Sequence, residues 1–141
     1  WLTPFLPAGE SPAGDSPEAL AGQALAAGDA AAARRHLEAL PAERAGSEHV
    51  RALRARLAFA DELPAVESGK ADLDALYAEG LRAAVAGAYL RAAEAFLTLT
   101  VRSRAYREDA GRLALLRLFE IVGAGDTVAQ DYRRKLAQAL H

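Results

Sequence analysis

The stretch LLRLFEIVGAGDTVAQDYRRKLAQAL, residues 115–140, decides how this chain folds. It begins within an almost continuous apolar run. Between residues 113 and 122, only Arg117 and Glu120 are polar, and their spacing of three places them on one narrow face. A helix that is apolar nearly all round is a buried helix. The sequence therefore predicts that the chain is built around this segment.

The same stretch is predicted to be two helices joined by a tight glycine turn. Gly123 follows the last apolar residue, where a left-handed helix cap is favoured. Asp126 then offers an N-cap carboxylate, which also suits the positive end of a helix dipole. In the first helix we expect Leu116 and Phe119 to be buried core residues.

The second helix of the stretch is predicted to be amphipathic. Every fourth position is apolar or aromatic, which places four residues on one face: Val128, Tyr132, Leu136 and Leu140. Elsewhere on the helix lies a cationic cluster, which we define as Arg133, Arg134 and Lys135. We expect the apolar stripe to dock the helix and the cationic cluster to be available to a partner.

The terminal pattern also carries a resemblance to a known family. The order G-x-G-D, five residues, Y-R-R-x-L over residues 123–136 resembles the end of the YbbN/CnoX family of bacterial thioredoxin-like co-chaperones. These proteins join an N-terminal thioredoxin-like domain to C-terminal tetratricopeptide-type helices. The opening WLTPFLP resembles the end of the last thioredoxin helix. Residues 1–15 are thus interpreted as the end of that domain and a linker, and residues 16–141 as a tetratricopeptide-like helical domain.

The resemblance implies a function without catalysis in this part of the chain. Members of the family hold non-native proteins in the cytoplasm and hand them to the chaperones GroEL and DnaK. Their C-terminal helix is implicated in contact with GroEL, which here corresponds to the helix with the cationic cluster. The thioredoxin active-site motif does not occur in this sequence, so none of its chemistry is carried over. An alternative is a helical self-association module that oligomerises a redox-active parent protein.

Composition limits the other classes of function. The 141 residues are 52% hydrophobic and only 6% aromatic, which indicates helices packed closely through alanine. A net charge of -2 predicts no nucleic-acid binding, and no apolar run approaches the ~20 residues of a membrane span. The chain has no cysteine, and His36, His49 and His141 have no metal-ligand spacing. We therefore expect no cofactor and no enzymatic activity.

The preceding residues are predicted to form helical hairpins that resemble tetratricopeptide units. Gly28 and Gly87 mark two hairpin turns, with helices over 17–27 and 30–40 around the first and over 72–101 around the second. The two glycines are closer in sequence than two repeats of about 34 residues would place them. The part between them is therefore expected to be irregular, with one helix over 47–60 and a turn or a single helical turn over 63–70. Stacked hairpins predict a right-handed all-α array.

Two questions remain open from the sequence alone. Tyr77, Leu81 and Val85 lie either in the groove of such an array or in its core, and their helical spacing favours the core. Charge alternates along the chain, with an excess of arginine over 34–56 and of acids over 61–79. These segments form either neighbouring solvated faces that attract each other or a polarised groove that selects a partner, and the former is favoured.

Overall fold

The computed structural model describes residues 16–123 and 125–140. Within these ranges every regular element is a helix, which confirms the all-α prediction. The helices are α1 (Pro17–Ala26), α2 (Ala30–Glu38), α3 (Ala42–Ala45), α4 (Glu48–Glu67), α5 (Asp72–Ala86), α6 (Tyr89–Arg102), α7 (Ala110–Val122) and α8 (Thr127–Ala139). None of these described helices is both long enough and apolar enough to span a bilayer. The predicted domain end and linker at 1–15, and His141, lie outside the described residues.

Short polar side chains and glycines define the first hairpin. The Ser16 hydroxyl accepts a hydrogen bond from the Ala19 amide at 3.1 Å, and this cap begins α1. Gly28 has φ 83°, a left-handed conformation that costs glycine little, and it turns the chain toward α2. The α2 helix ends at Glu38, two residues before the predicted end, and the short α3 follows Pro41.

The helix α4 is longer than predicted. Over 63–67 the chain continues the same helix, so the separate turn or single helical turn expected over 63–70 is wrong for most of that range. The helix continues through Pro64 to Glu67, where the Ser68 amide donates to the Pro64 carbonyl at 3.1 Å. Proline removes one helical hydrogen bond and normally ends a helix. Here Val66 is only 3% exposed in the core, and this burial favours another turn of helix beyond the proline.

Small residues bring α5, α6 and α7 close together. A Cβ atom on Gly80 would lie 2.5 Å from Cε1 of Phe96, so α5 and α6 meet where no larger residue fits. A Cβ atom on Gly111 would likewise lie 2.6 Å from the Thr100 hydroxyl, where α7 crosses α6. Gly87, with φ 84°, caps α5 in the left-handed region and turns the chain into α6.

The burial of α7 is incomplete, which corrects one prediction. Phe119 is 1% exposed in the core, whereas Leu116 is 36% and Leu113 is 45% exposed. The expectation that Leu116 is buried is therefore wrong. The helix packs against α4, α6 and α8, and the remaining face, on which Leu113, Leu116 and Glu120 follow one another, is left to solvent.

The turn into α8 differs in detail from the predicted cap. Gly123 has φ 89° and ψ 154°, so it is not in the αL region, although its positive φ still favours glycine. Asp126 caps α8 as expected, accepting a hydrogen bond from the Val128 amide at 2.8 Å. Tyr132 and Leu136 are buried, and α8 contacts both α6 and α7. The apolar stripe thus docks this helix on the end of the array.

Candidate protein-binding surface

A groove of about 610 Å³ lies between the first two turns of α4 and the end of α7. Its floor is apolar and is formed by Ala52, Ala55, Phe119, Ile121 and Val122. The alanines of α4 leave room for a guest side chain because they fill little volume. This surface, which we call the terminal groove, is concave and combines an apolar floor with charged residues around it.

A cation joins the two helices between which the terminal groove lies. The guanidinium of Arg117 lies over the ring of Phe59, 4.1 Å from the ring centroid, and its Nη1 donates to Oε2 of Glu62 at 2.6 Å. This contact joins α7 to the middle of α4. The groove begins beyond it, where the early residues of α4 face the residues that follow Leu118.

Four charged side chains border the terminal groove. Glu48 and Arg51 belong to α4, Glu120 belongs to α7, and Arg133 belongs to α8. All four are exposed, and none forms an ion pair with another described residue. The groove therefore presents two unpaired positive and two unpaired negative charges around an apolar floor.

The cationic cluster of α8 is partly neutralised by its own helix. Arg134 binds Oδ1 of Asp131 at 2.6 Å, and Lys135 lies 3.2 Å from the other carboxylate oxygen. These bonds, with that to Arg134 the strongest, lower the pKa of Asp131. Arg133 differs from its neighbours because its guanidinium lies 5.0 Å from the ring centroid of Phe119, beside the groove. Only Arg133 of the cluster thus connects α8 to the terminal groove.

The tetratricopeptide repeat family model matches residues 43–141, which is more than half of the sequence. This chain belongs to the tetratricopeptide repeat family. No curated protein and no solved structure matches it significantly. Tetratricopeptide domains generally mediate protein–protein interactions and are typically not catalytic. The matched range contains α4, α7 and α8, so the terminal groove lies wholly within it.

Three residues considered for partner binding lie instead in the core of this tetratricopeptide domain. Tyr77 is 4% exposed, and Leu81 and Val85 are also buried, so a groove-facing role for them is wrong. Their helical spacing places them on the inner side of α5. The Tyr77 hydroxyl donates to Oε1 of Glu62 at 2.7 Å, and burial together with this carboxylate raises the pKa of Tyr77 far above its usual value.

A buried carboxylate organises the loop before α7, which the sequence patterns did not reveal. Asp74 accepts hydrogen bonds from the Ala71 amide at 3.1 Å, from the Tyr106 hydroxyl, and from Arg107 Nε at 3.2 Å. The hydrogen bond from Tyr106 has the largest effect and, together with Arg107, lowers the pKa of Asp74. The sequence around Asp74 gives no local sign of this role, because Tyr106 and Arg107 lie more than thirty residues later.

Charged helix faces elsewhere in the chain attract each other. Arg34 on α2 binds Asp61 on α4 at 2.5 Å, and Arg82 on α5 binds Glu67 on α4 at 2.6 Å. These pairs support the interpretation of the alternating charge as neighbouring solvated faces. Within the described ranges, no three His, Asp or Glu side chains come together in a group that could hold a metal ion.

Proposed function

We propose that this tetratricopeptide domain is the protein-binding module of a thioredoxin-like co-chaperone of the YbbN/CnoX kind. In this role it holds non-native proteins and contacts the chaperones GroEL and DnaK in the cytoplasm. The proposal combines the family's general role in protein–protein interaction with the resemblance of the terminal pattern over residues 123–136.

The orientation of α8 is the observation that carries the proposal. Tyr132 and Leu136 attach the helix to the array, and they leave the cationic cluster on its outer surface. Arg134 has a side chain that is 66% exposed even though it is paired with Asp131. A partner can therefore approach this face without any unfolding of the domain. A chaperone surface that is acidic where it meets α8 is the complementary partner.

Charge reversal on α8 tests this contact. In the double variant Arg133→Glu/Arg134→Glu, we expect immobilised GroEL to capture the 141-residue chain several-fold less well, and wild-type capture to weaken as salt increases. Arg35→Glu is the control, because Arg35 is also exposed and forms no ion pair with another described residue but lies on α2 at the other end of the array. Equal loss of capture in both variants, or no loss in the double variant, contradicts the proposal.

Self-association of the domain is a second candidate, and exposed apolar residues favour it. Leu90 and Val101 on α6 are 54% and 66% exposed, and Leu113 on α7 is 45% exposed. Sedimentation velocity over a range of concentrations tests this candidate. The candidate is supported if the mass of the wild-type chain rises with concentration while that of Val101→Ser stays at the monomer value. A constant monomer mass of the wild-type chain excludes it.

A further inference from the structure

We propose that the terminal groove holds a short apolar segment of a non-native protein that is flanked by charged residues of both signs. This inference rests on the proposed function, because it assigns the class of protein segment that the domain holds. Of the cationic cluster on α8, only Arg133 also lines the groove. The two surfaces can therefore be tested separately through Arg51, which belongs to the groove and not to α8.

The shape of the terminal groove favours an inserted segment over a second copy of the domain. A symmetric dimer formed through this surface would place two identical concave grooves face to face. Their apolar floors would then enclose unfilled space, which is unfavourable because protein interfaces pack as densely as protein interiors. A segment that projects its side chains onto Ala52, Ala55 and Ile121, which are only partly buried, fills the groove instead.

The unpaired charges around the groove define the chemistry of that segment. Arg51 on α4 and Arg133 on α8 attract a carboxylate, whereas Glu48 and Glu120 attract an ammonium or guanidinium group. A purely acidic segment would be repelled by the two glutamates, and a purely basic one by the two arginines. A segment with an apolar centre and flanking charges of both signs satisfies all four side chains.

This chemistry matches what non-native proteins expose. Natural sequences place charged residues beside apolar segments that would otherwise aggregate. In a folded protein such an apolar segment is buried, and it becomes accessible only when the protein is not folded. The terminal groove thus combines contact with the apolar segment and recognition of its charged flanks, which distinguishes it from a surface that binds any exposed apolar patch.

The probe is a fluorescein-labelled peptide, Asp-Lys-Leu-Val-Phe-Leu-Asp-Lys, titrated with the 141-residue chain and followed by fluorescence anisotropy. Its matched control carries Ser in place of every charged residue. We expect saturable binding of the charged peptide. The serine peptide should bind at least about fivefold less well, because the loss of a single exposed ion pair can already weaken binding by about that factor. The Arg51→Glu variant should bind the charged peptide roughly tenfold less well, because the reversal replaces attraction with repulsion.

Arg54→Glu is the control for the protein. Arg54 lies on the same helix, is exposed, forms no ion pair within the part of the chain that the structure describes, and does not line the groove. It should leave the affinity for the charged peptide nearly unchanged. Absence of saturable binding, equal affinity for both peptides, or equal effects of the two variants would overturn the proposal. GroEL capture by the Arg51→Glu variant should remain at the wild-type level, so that failure of the groove and failure of the chaperone contact can be told apart.

Discussion

Arg117 lies over the ring of Phe59 at 4.1 Å and donates a hydrogen bond to Glu62, so one side chain of α7 binds two positions one turn apart on α4. Both the cation–π contact and the ion pair span the helices that border the terminal groove. The side chains of Arg117 and Glu62 are about one-third exposed, which reduces the free energy of their ion pair by solvent screening. The contact positions α7 more than it stabilises the whole domain.

Removal of this contact should weaken the domain moderately. We expect Arg117→Ala to lower the free energy of unfolding in urea by about 1–2 kcal/mol, the sum of a cation–π contact and a partly exposed ion pair. Arg34→Ala removes only the exposed pair with Asp61 and should cost less than about 0.5 kcal/mol. Equal losses in the two variants would show that the Phe59 contact contributes nothing.

Two glycine substitutions should change stability in opposite directions. Gly80→Ala places a methyl group 2.5 Å from the buried Phe96 ring, and we expect overpacking to cost about 1–3 kcal/mol even after the gain in helix propensity. Gly22→Ala adds the same methyl group to α1, where the nearest atom, on Leu53, is 3.8 Å away. This control should gain up to about 1 kcal/mol. Stabilisation of both variants in thermal or urea unfolding would contradict the close packing of α5 on α6.

Because α7 is only partly buried, truncation of two different side chains on this helix should lower the free energy of unfolding by unequal amounts. Phe119→Ala empties a fully buried position and should cost about 3–5 kcal/mol. Leu116→Ala removes a side chain that is 36% exposed and should cost less than about 1.5 kcal/mol, because much of its surface already faces water. Chemical denaturation measures both variants. A larger loss for Leu116 than for Phe119 would mean that α7 is rotated about its axis.

Asp74 should make the domain sensitive to acid. Hydrogen bonds from Tyr106 and Arg107 lower the pKa of its carboxylate in the folded state. A lowered pKa contributes stability that is present above the pKa of the unfolded chain, about 3.9, and that is lost as pH falls through the folded-state value. At pH values below about 4, the urea concentration at the midpoint of unfolding should therefore decrease for the wild-type protein.

The Asp74→Asn variant isolates this contribution. It should be less stable than the wild type at neutral pH, and its urea midpoint should depend less on pH in the acidic range, because the titrating group is gone. Asp72→Asn is the control, since Asp72 is exposed in the first turn of the same helix. If Asp72→Asn and Asp74→Asn flattened the pH dependence equally, the buried cluster would not be the cause.

Several turns and helix caps could be predicted from the sequence, because the interactions that form them act over only a few residues. The positive φ of Gly28 and Gly87 and the cap at Asp126 all follow from residues adjacent to the turns. The length of α4 could not be predicted in this way, because burial of Val66 in the tertiary structure outweighs the local effect of Pro64.

The terminal groove was inaccessible to sequence patterns for a related reason. It combines residues of α4 with Arg133, about eighty positions later, and no periodicity connects them. The partner-binding role of Arg133 was inferred from its place on an amphipathic helix, but its position beside Phe119 depends on how α8 docks. The apolar pattern of α7 likewise does not indicate which of its faces the neighbouring helices leave open.

Hydrogen–deuterium exchange with GroEL locates the proposed contact of α8 without a substitution. On addition of GroEL, we expect slower deuterium uptake in peptides that cover α8, Thr127–Ala139, and unchanged uptake in peptides that cover α1 and α2. Slower uptake confined to α1 and α2, or no change anywhere in the chain at saturating GroEL, would show that α8 is not the contact.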